Sequence, residues 1–192
     1  MTCLQRFAIR WSLFYISLLA GCASFAPSIR SGDKLDRNSA YLYGRFFIEA
    51  PSKLLGHQSI GFVIKCRDGQ KYTLGLSKRK PVQVIKIVPS SCSLTEIVFT
   101  APDGTIERRR RSPASALKNS DFAPGVAYYL GDIDGEATFE WTPHAFSNEY
   151  QSQWGIKRID DNYEATTKVV HRLFPSVATL PTEERMLFDQ PE

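Results

Sequence analysis

The chain has 192 residues, 43% hydrophobic and 23% charged, proportions that suit one globular domain plus a targeting segment. Twelve Phe, eight Tyr and three Trp supply ample core material, and the formal net charge is +4. Residues 1–21 contain Arg6 and Arg10 and no acid, so without them 22 basic and 20 acidic residues remain, a near-balance that gives no electrostatic case for nucleic acid.

Arg6 and Arg10 form a short positive region, followed by the apolar run Trp11 to Ala20 (WSLFYISLLA). That run is about half of the roughly 20 residues a helix needs to cross a bilayer, so the layout is a secretory signal rather than a span. It ends Leu19-Ala20-Gly21-Cys22, which resembles the bacterial lipobox. The resemblance implies cleavage before Cys22, a diacylglyceryl group on its thiol and usually an acyl chain on the freed amine. At about 0.8 kcal/mol per buried CH₂, two or three acyl chains anchor a protein essentially permanently. Ala23 stands where the family's inner-membrane retention signal has Asp, which by resemblance implies the outer membrane. An ordinary signal peptide with a chance Cys22 is the alternative. Residues 22–40 are expected to form a flexible tether, because Ser24 to Ser39 is polar, includes Pro27 and has no apolar period.

From Tyr41 short apolar or alternating runs predict strands: Tyr41 to Ala50, Ser59 to Cys66, Lys71 to Leu76, Val82 to Val88, Leu94 to Thr100, Thr105 to Arg109, Gly125 to Asp132 and Ala137 to Trp141. Asp68-Gly69, Asp103-Gly104 and Asp134-Gly135 fall between such runs. Asp-Gly supplies the positive φ of tight hairpin turns, so three hairpins are expected. About ten residues per strand predicts a mainly β fold, an antiparallel sandwich of about seven to nine strands over residues 41–180. Phe122-Ala-Pro124-Gly125-Val-Ala-Tyr128 resembles the tyrosine corner of Greek-key sandwiches such as fibronectin type III domains, with Phe122 in place of the usual Leu. The resemblance implies a Tyr128 hydroxyl bonded back to the preceding crossover.

Gln153 to Ile159 reads as a last strand and Asp160 to Phe174 as a helix, with Asp160 or Asp161 at its N-cap, Glu164 in its first turn and Pro175 as its stop. Tyr163, Thr167, Val170 and Phe174 share one helical face, expected to pack on the sheet. Residues 181–192 read as a loosely attached tail with a short helical turn at Thr182 to Phe188.

Cys3 leaves with the leader and Cys22 is expected to carry lipid, so Cys66 and Cys92 remain as an even pair in an oxidising compartment. A structural disulfide is the natural inference. Two free buried thiols, or a redox pair without the Cys-x-x-Cys spacing, are the alternatives.

The residues offer little chemistry. His57, His144 and His171 lack zinc-ligand spacing. Asp132-x-Asp134-Gly135-Glu136 falls short of a calcium loop and is explained by a turn. Ser-x-x-Lys occurs three times, at Ser31, Ser77 and Ser115, without its usual companions. The adjacent acids Asp160-Asp161 and Glu183-Glu184 suit cap and surface positions better than an acid/base dyad. No motif implies a cofactor, a metal or a catalytic residue. Arg108, Arg109, Arg110 and Arg111 could grip an anionic group, lipid A or phospholipid phosphate for example. The plainer account is a charged strand end that protects an edge from pairing. These features predict a membrane-anchored envelope lipoprotein that faces the periplasm and serves as a non-catalytic binding or assembly module for an envelope protein or glycan. A lipid-anchored hydrolase of envelope material is the alternative.

Overall fold

Alternation of apolar and polar residues builds two sheets that face each other across one apolar layer. The computed structural model describes residues 28–49, 59–100, 106–109, 116–143 and 148–188, with the backbone path alone at 48, 49, 106–109, 137, 139–143 and 148–154. The leader with Cys22, as well as His57, Asp103-Gly104, Arg110, Arg111 and His144, lies outside the described residues.

Ten strands are present among the described residues. They are β1 (Ala40–Glu49), β2 (Ser59–Cys66), β3 (Lys71–Ser77), β4 (Val82–Ile87), β5 (Ser90–Thr100), β6 (Ile106–Arg109), β7 (Ser120–Phe122), β8 (Ala127–Pro143), β9 (Asn148–Asp160) and β10 (Thr182–Glu184). One helix, α1 (Tyr163–Leu173), follows β9. The first sheet runs β10-β8-β1-β4 with β9 also on β8, and the second runs β3-β2-β5-β6 with β7 also on β5. Each is organised on one long strand. Along one edge of β8 lie β10 at residues 127–129 and β9 at 132–143, and along one edge of β5 lie β7 at 90–92 and β6 at 97–100.

The sandwich with a C-terminal helix is as the sequence predicts, and its pairings are mostly antiparallel. Two are parallel: β1 with β8, and β10 with β8. The layer between the sheets takes Leu42, Phe46, Ile60, Phe62, Ile64, Leu74, Ile85, Phe99, Leu130 and Ile133. The outer face of the first sheet is buried too, where Tyr41, Tyr43, Val84 and Tyr129 pack with Val170 of α1 and with Val177 and Leu180 beyond it. Strands β1 and β8 are thus covered on both sides, which explains the near-continuous apolar run Ala40 to Tyr43.

Asp68-Gly69 is the expected hairpin turn, with Gly69 at φ 85°. Asp134-Gly135 is not a turn, because β8 passes straight through it. A side chain at Gly135 would stand 3.0 Å from the Phe46 ring, so this glycine makes room for packing. The segment from Ser28 does not hang free as a tether. Ser28 bridges Ile85, the Ile29 N–H donates to the Val84 carbonyl at 2.9 Å, and Lys86 pairs with Asp36 at 3.0 Å. The tail is held as well: β10 is a strand rather than a helical turn, and Leu187 and Phe188 are buried in the central layer. Helix α1 starts at Tyr163, since Asp160 is the last residue of β9. Its cap position is Asn162, and the Asp161 carboxylate accepts from the Tyr163 N–H at 3.1 Å.

Two tyrosines lock the strand entries. The Tyr128 hydroxyl accepts from the Ala123 N–H at 2.8 Å, five residues back across the passage from β7 to β8, which is the geometry the corner motif implies. Gly125 takes φ 71° in that passage and its N–H reaches the Ser39 carbonyl. The Tyr41 hydroxyl repeats the device, accepting from the Asp36 N–H at 2.7 Å, also five residues back. The sequence reading missed this second corner, which lacks the Pro-Gly signature.

Candidate binding cleft

A one-residue irregularity in β8 creates the site. Tyr43 pairs with Tyr129 and Arg45 with Asp132, so β8 spends three residues where β1 spends two. Gly131 carries the excess at φ 116°, which favours glycine, and its carbonyl would lie 2.9 Å from a Cβ on Gly44, so close backbone approach calls for glycine there too. In a regular strand Asp132 would face the central layer. The bulge turns it to the outer side, beside Tyr129 and under α1.

There Asp132 is the centre of a buried polar cluster and is only 3% exposed. The Tyr129 hydroxyl donates to its Oδ1 at 3.0 Å, and the Thr166 hydroxyl sits 2.8 and 2.9 Å from its two oxygens. Tyr129 also accepts from the Asn162 N–H at 3.1 Å, and Tyr43 meets Thr167 at 2.6 Å. Burial raises the Asp132 carboxyl above the usual aspartate range, against the opposing effect of these hydrogen bonds and of Arg45. Burial likewise pushes the Tyr43 hydroxyl up to about 12.

Beside the cluster lies a cleft of about 730 Å³. Its floor comes from β1, β8 and β9, and its rim from the start of α1 and the turn between β3 and β4. Cross-strand register sets the floor: Asp132 lies opposite Asp160, and Asp134 opposite Arg158. Arg158 bonds Asp160 at 2.9 Å and approaches Asp134 at 3.8 Å, an exposed ion-paired wall. On the β1 side Arg45 rests its guanidinium 4.3 Å from the centroid of the Phe47 ring. The Arg45 Nε is buried with no hydrogen-bond partner among the described residues. Lys78 adds a positive charge at the rim, while Phe46, Pro81 and Ala165 supply apolar surface.

Chemically the cleft can bind. Among the described residues no Ser, Cys or His lines it, and no cluster of three or more metal-ligating side chains exists. Asp132, whose carboxyl is raised by burial, has its oxygens bonded by Tyr129 and Thr166. That carboxyl is a strut between β8 and α1.

Cys66 and Cys92 form a disulfide, directly opposite each other on β2 and β5. The bond staples two strands of one sheet, on the far side of the sandwich from α1. Arg108 and Arg109 end β6 at the edge of that same sheet, at the register positions opposite Val98 and Ile97. Strand β6 belongs to the sheet opposite the one that floors the cleft, and Arg110 and Arg111 lie outside the described residues. No cleft residue was singled out as a ligand-binding residue in the sequence, because Arg45, Asp132, Arg158 and Lys78 converge from four separate segments without a shared motif.

No family model and no curated protein matches the chain. A solved structure described as a "putative cell adhesion protein" from Bacteroides uniformis is similar over 62% of this chain, at 14% identity and a TM-score of 0.28. The match spans half of that chain, and a likeness this distant assigns no function.

Proposed function

We propose that the protein is a lipid-anchored module of the bacterial cell envelope that binds an envelope component, through the cleft beside α1, without catalysis. The observation that carries the binding reading is the cleft itself. It joins apolar rings, an orphaned guanidinium and ion-paired carboxylates, and among the described residues no Ser, Cys or His lines it. Support for the anchor is Leu19-Ala20-Gly21-Cys22 behind a positive and an apolar region. The disulfide fits an oxidising compartment. The hydrolase reading draws on one observation, the raised Asp132 carboxyl, and is disfavoured by that residue's burial and its hydrogen bonds to Tyr129 and Thr166.

Two measurements test the proposal. Mass spectrometry of the mature protein should find Cys22 at the N-terminus with a diacylglyceryl mass. An unmodified N-terminus at Ala23 or beyond, or an intact leader, would overturn the anchor. For binding apart from the anchor, residues 23–192, which lack the leader and the lipid-bearing Cys22, should be retained by isolated envelope fractions, and Ala165→Trp, which fills the cleft from its exposed rim, should abolish retention. Unchanged retention would remove the cleft from the binding function.

A further inference from the structure

We infer that the cleft recognises a single anionic oxygen group, carboxylate or phosphate, carried on a small hydroxylated ligand such as an acidic sugar, and that Arg45 takes the anion. This rests on the reading of the cleft as the binding site and adds the chemistry of its ligand.

Arg45 carries the argument. A guanidinium has five donors in a fixed fork, and a buried donor without a partner is costly to maintain. The Arg45 Nε is such a donor. Asp132 is its neighbour across the β1–β8 pairing, yet the Asp132 carboxyl bonds Tyr129 and Thr166 and makes no hydrogen bond to the Arg45 Nε. The Phe47 ring meanwhile holds the guanidinium in place, so the fork is ordered before any ligand arrives. A carboxylate or phosphate oxygen is the acceptor that matches this arrangement. Positive potential at the entrance is reinforced by the exposed run Lys78-Arg79-Lys80, of which Lys78 lines the cleft.

The opposite wall limits the ligand to few negative charges. Two carboxylates, Asp134 and Asp160, hold the single guanidinium of Arg158, so this side is net negative and would repel a dense polyanion. Each carboxylate has lone pairs beyond those bonds, suited to accept from hydroxyl groups. An anion at Arg45 and hydroxyls toward Asp134 and Asp160 describe an acidic polyol better than a lipid or a nucleic acid.

The test is calorimetric titration of the full-length protein with glucuronate, glucose 6-phosphate and glucose. At least one anionic probe should bind ten or more times tighter than glucose, and the two anionic arms distinguish carboxylate from phosphate. Arg45→Gln should weaken that probe at least about tenfold, the loss expected for a charge-assisted hydrogen bond. Lys78→Gln, at an exposed position, should cost about threefold. Arg45→Lys, which keeps the charge and loses the fork, should fall between wild type and Arg45→Gln, and it reads the site should the Gln variant fail to fold. Equal binding of glucose, or binding of neither anionic probe, overturns the inference. If Ala165→Trp blocks binding while Arg45→Gln does not, the cleft stands and anion recognition falls. If neither variant matters, both fall.

Discussion

Between its two sheets the protein is apolar, filled by Phe62, Phe99, Leu74 and Ile64 and closed at one end by the Cys66–Cys92 bond. Between the first sheet and α1 it is threaded with hydroxyls: Tyr43 on Thr167, and Tyr129 and Thr166 on Asp132. Both layers are buried, but they are specified differently. Shape decides the first, and any side chain of matching volume could serve. Directed bonds decide the second, where a lost partner leaves a buried oxygen unsatisfied. The cleft opens off the second layer, so the part of the molecule suited to binding is also the part whose geometry is fixed by hydrogen bonds.

The contrast can be broken by measurement. The largest effect is expected in the apolar layer: Phe62→Ala, removing a fully buried ring that stacks edge-on with Phe188, should cost about 3–5 kcal/mol in urea unfolding. Loss of the disulfide, by replacing both Cys66 and Cys92 with Ala, should cost about 3–4 kcal/mol for a sequence separation of 26 in the chain-entropy account. A smaller loss, about 1–3 kcal/mol, is expected for Tyr129→Phe, which strips a donor from Asp132. A Tyr129→Phe variant as damaging as Phe62→Ala would erase the distinction between the layers.

The smallest effects lie in the pH profile, where two aspartates act in opposite senses. Burial raises the folded Asp132 carboxyl, so its contribution to stability is fully present below its ordinary value of 3.8 and is lost as pH rises through the raised value. Asp132→Asn should therefore gain on wild type in melting temperature from pH 4 toward neutrality. Asp36 is held down to about 2 by the Asn38 N–H first, then by Lys86 and Ser39. Its contribution is present above 3.8 and fades as pH falls toward 2, so Asp36→Asn should flatten the acid limb alone. Identical profiles for the two variants would show that burial under α1 does not set Asp132 apart from an exposed, ion-paired aspartate.

Much of the frame was legible in the sequence because local chemistry wrote it. The Tyr128 corner, the Asp68-Gly69 hairpin and the inward face of α1 each follow from residues close together in the chain. Asp134-Gly135 misled because a glycine serves turns and tight packing alike, and only the position of Phe46 separates the two uses. The 182–188 segment misled because its partner is β8, more than fifty residues earlier, and pairing overrode local preference. The cleft was illegible for a related reason. It depends on a register between β1, β8 and β9 that no single segment encodes.

The extra residue at Gly131 works like a shift of reading frame written in side chains. Upstream of it the odd positions Ala127 and Tyr129 face α1; downstream the even ones, Asp132 and Asp134, take over. Deleting that glycine would turn the remainder of β8 inside out, sending two carboxylates into the central layer and Ile133 to the surface. The site and the core of this strand are therefore coupled: neither can be edited by one residue without rewriting the other.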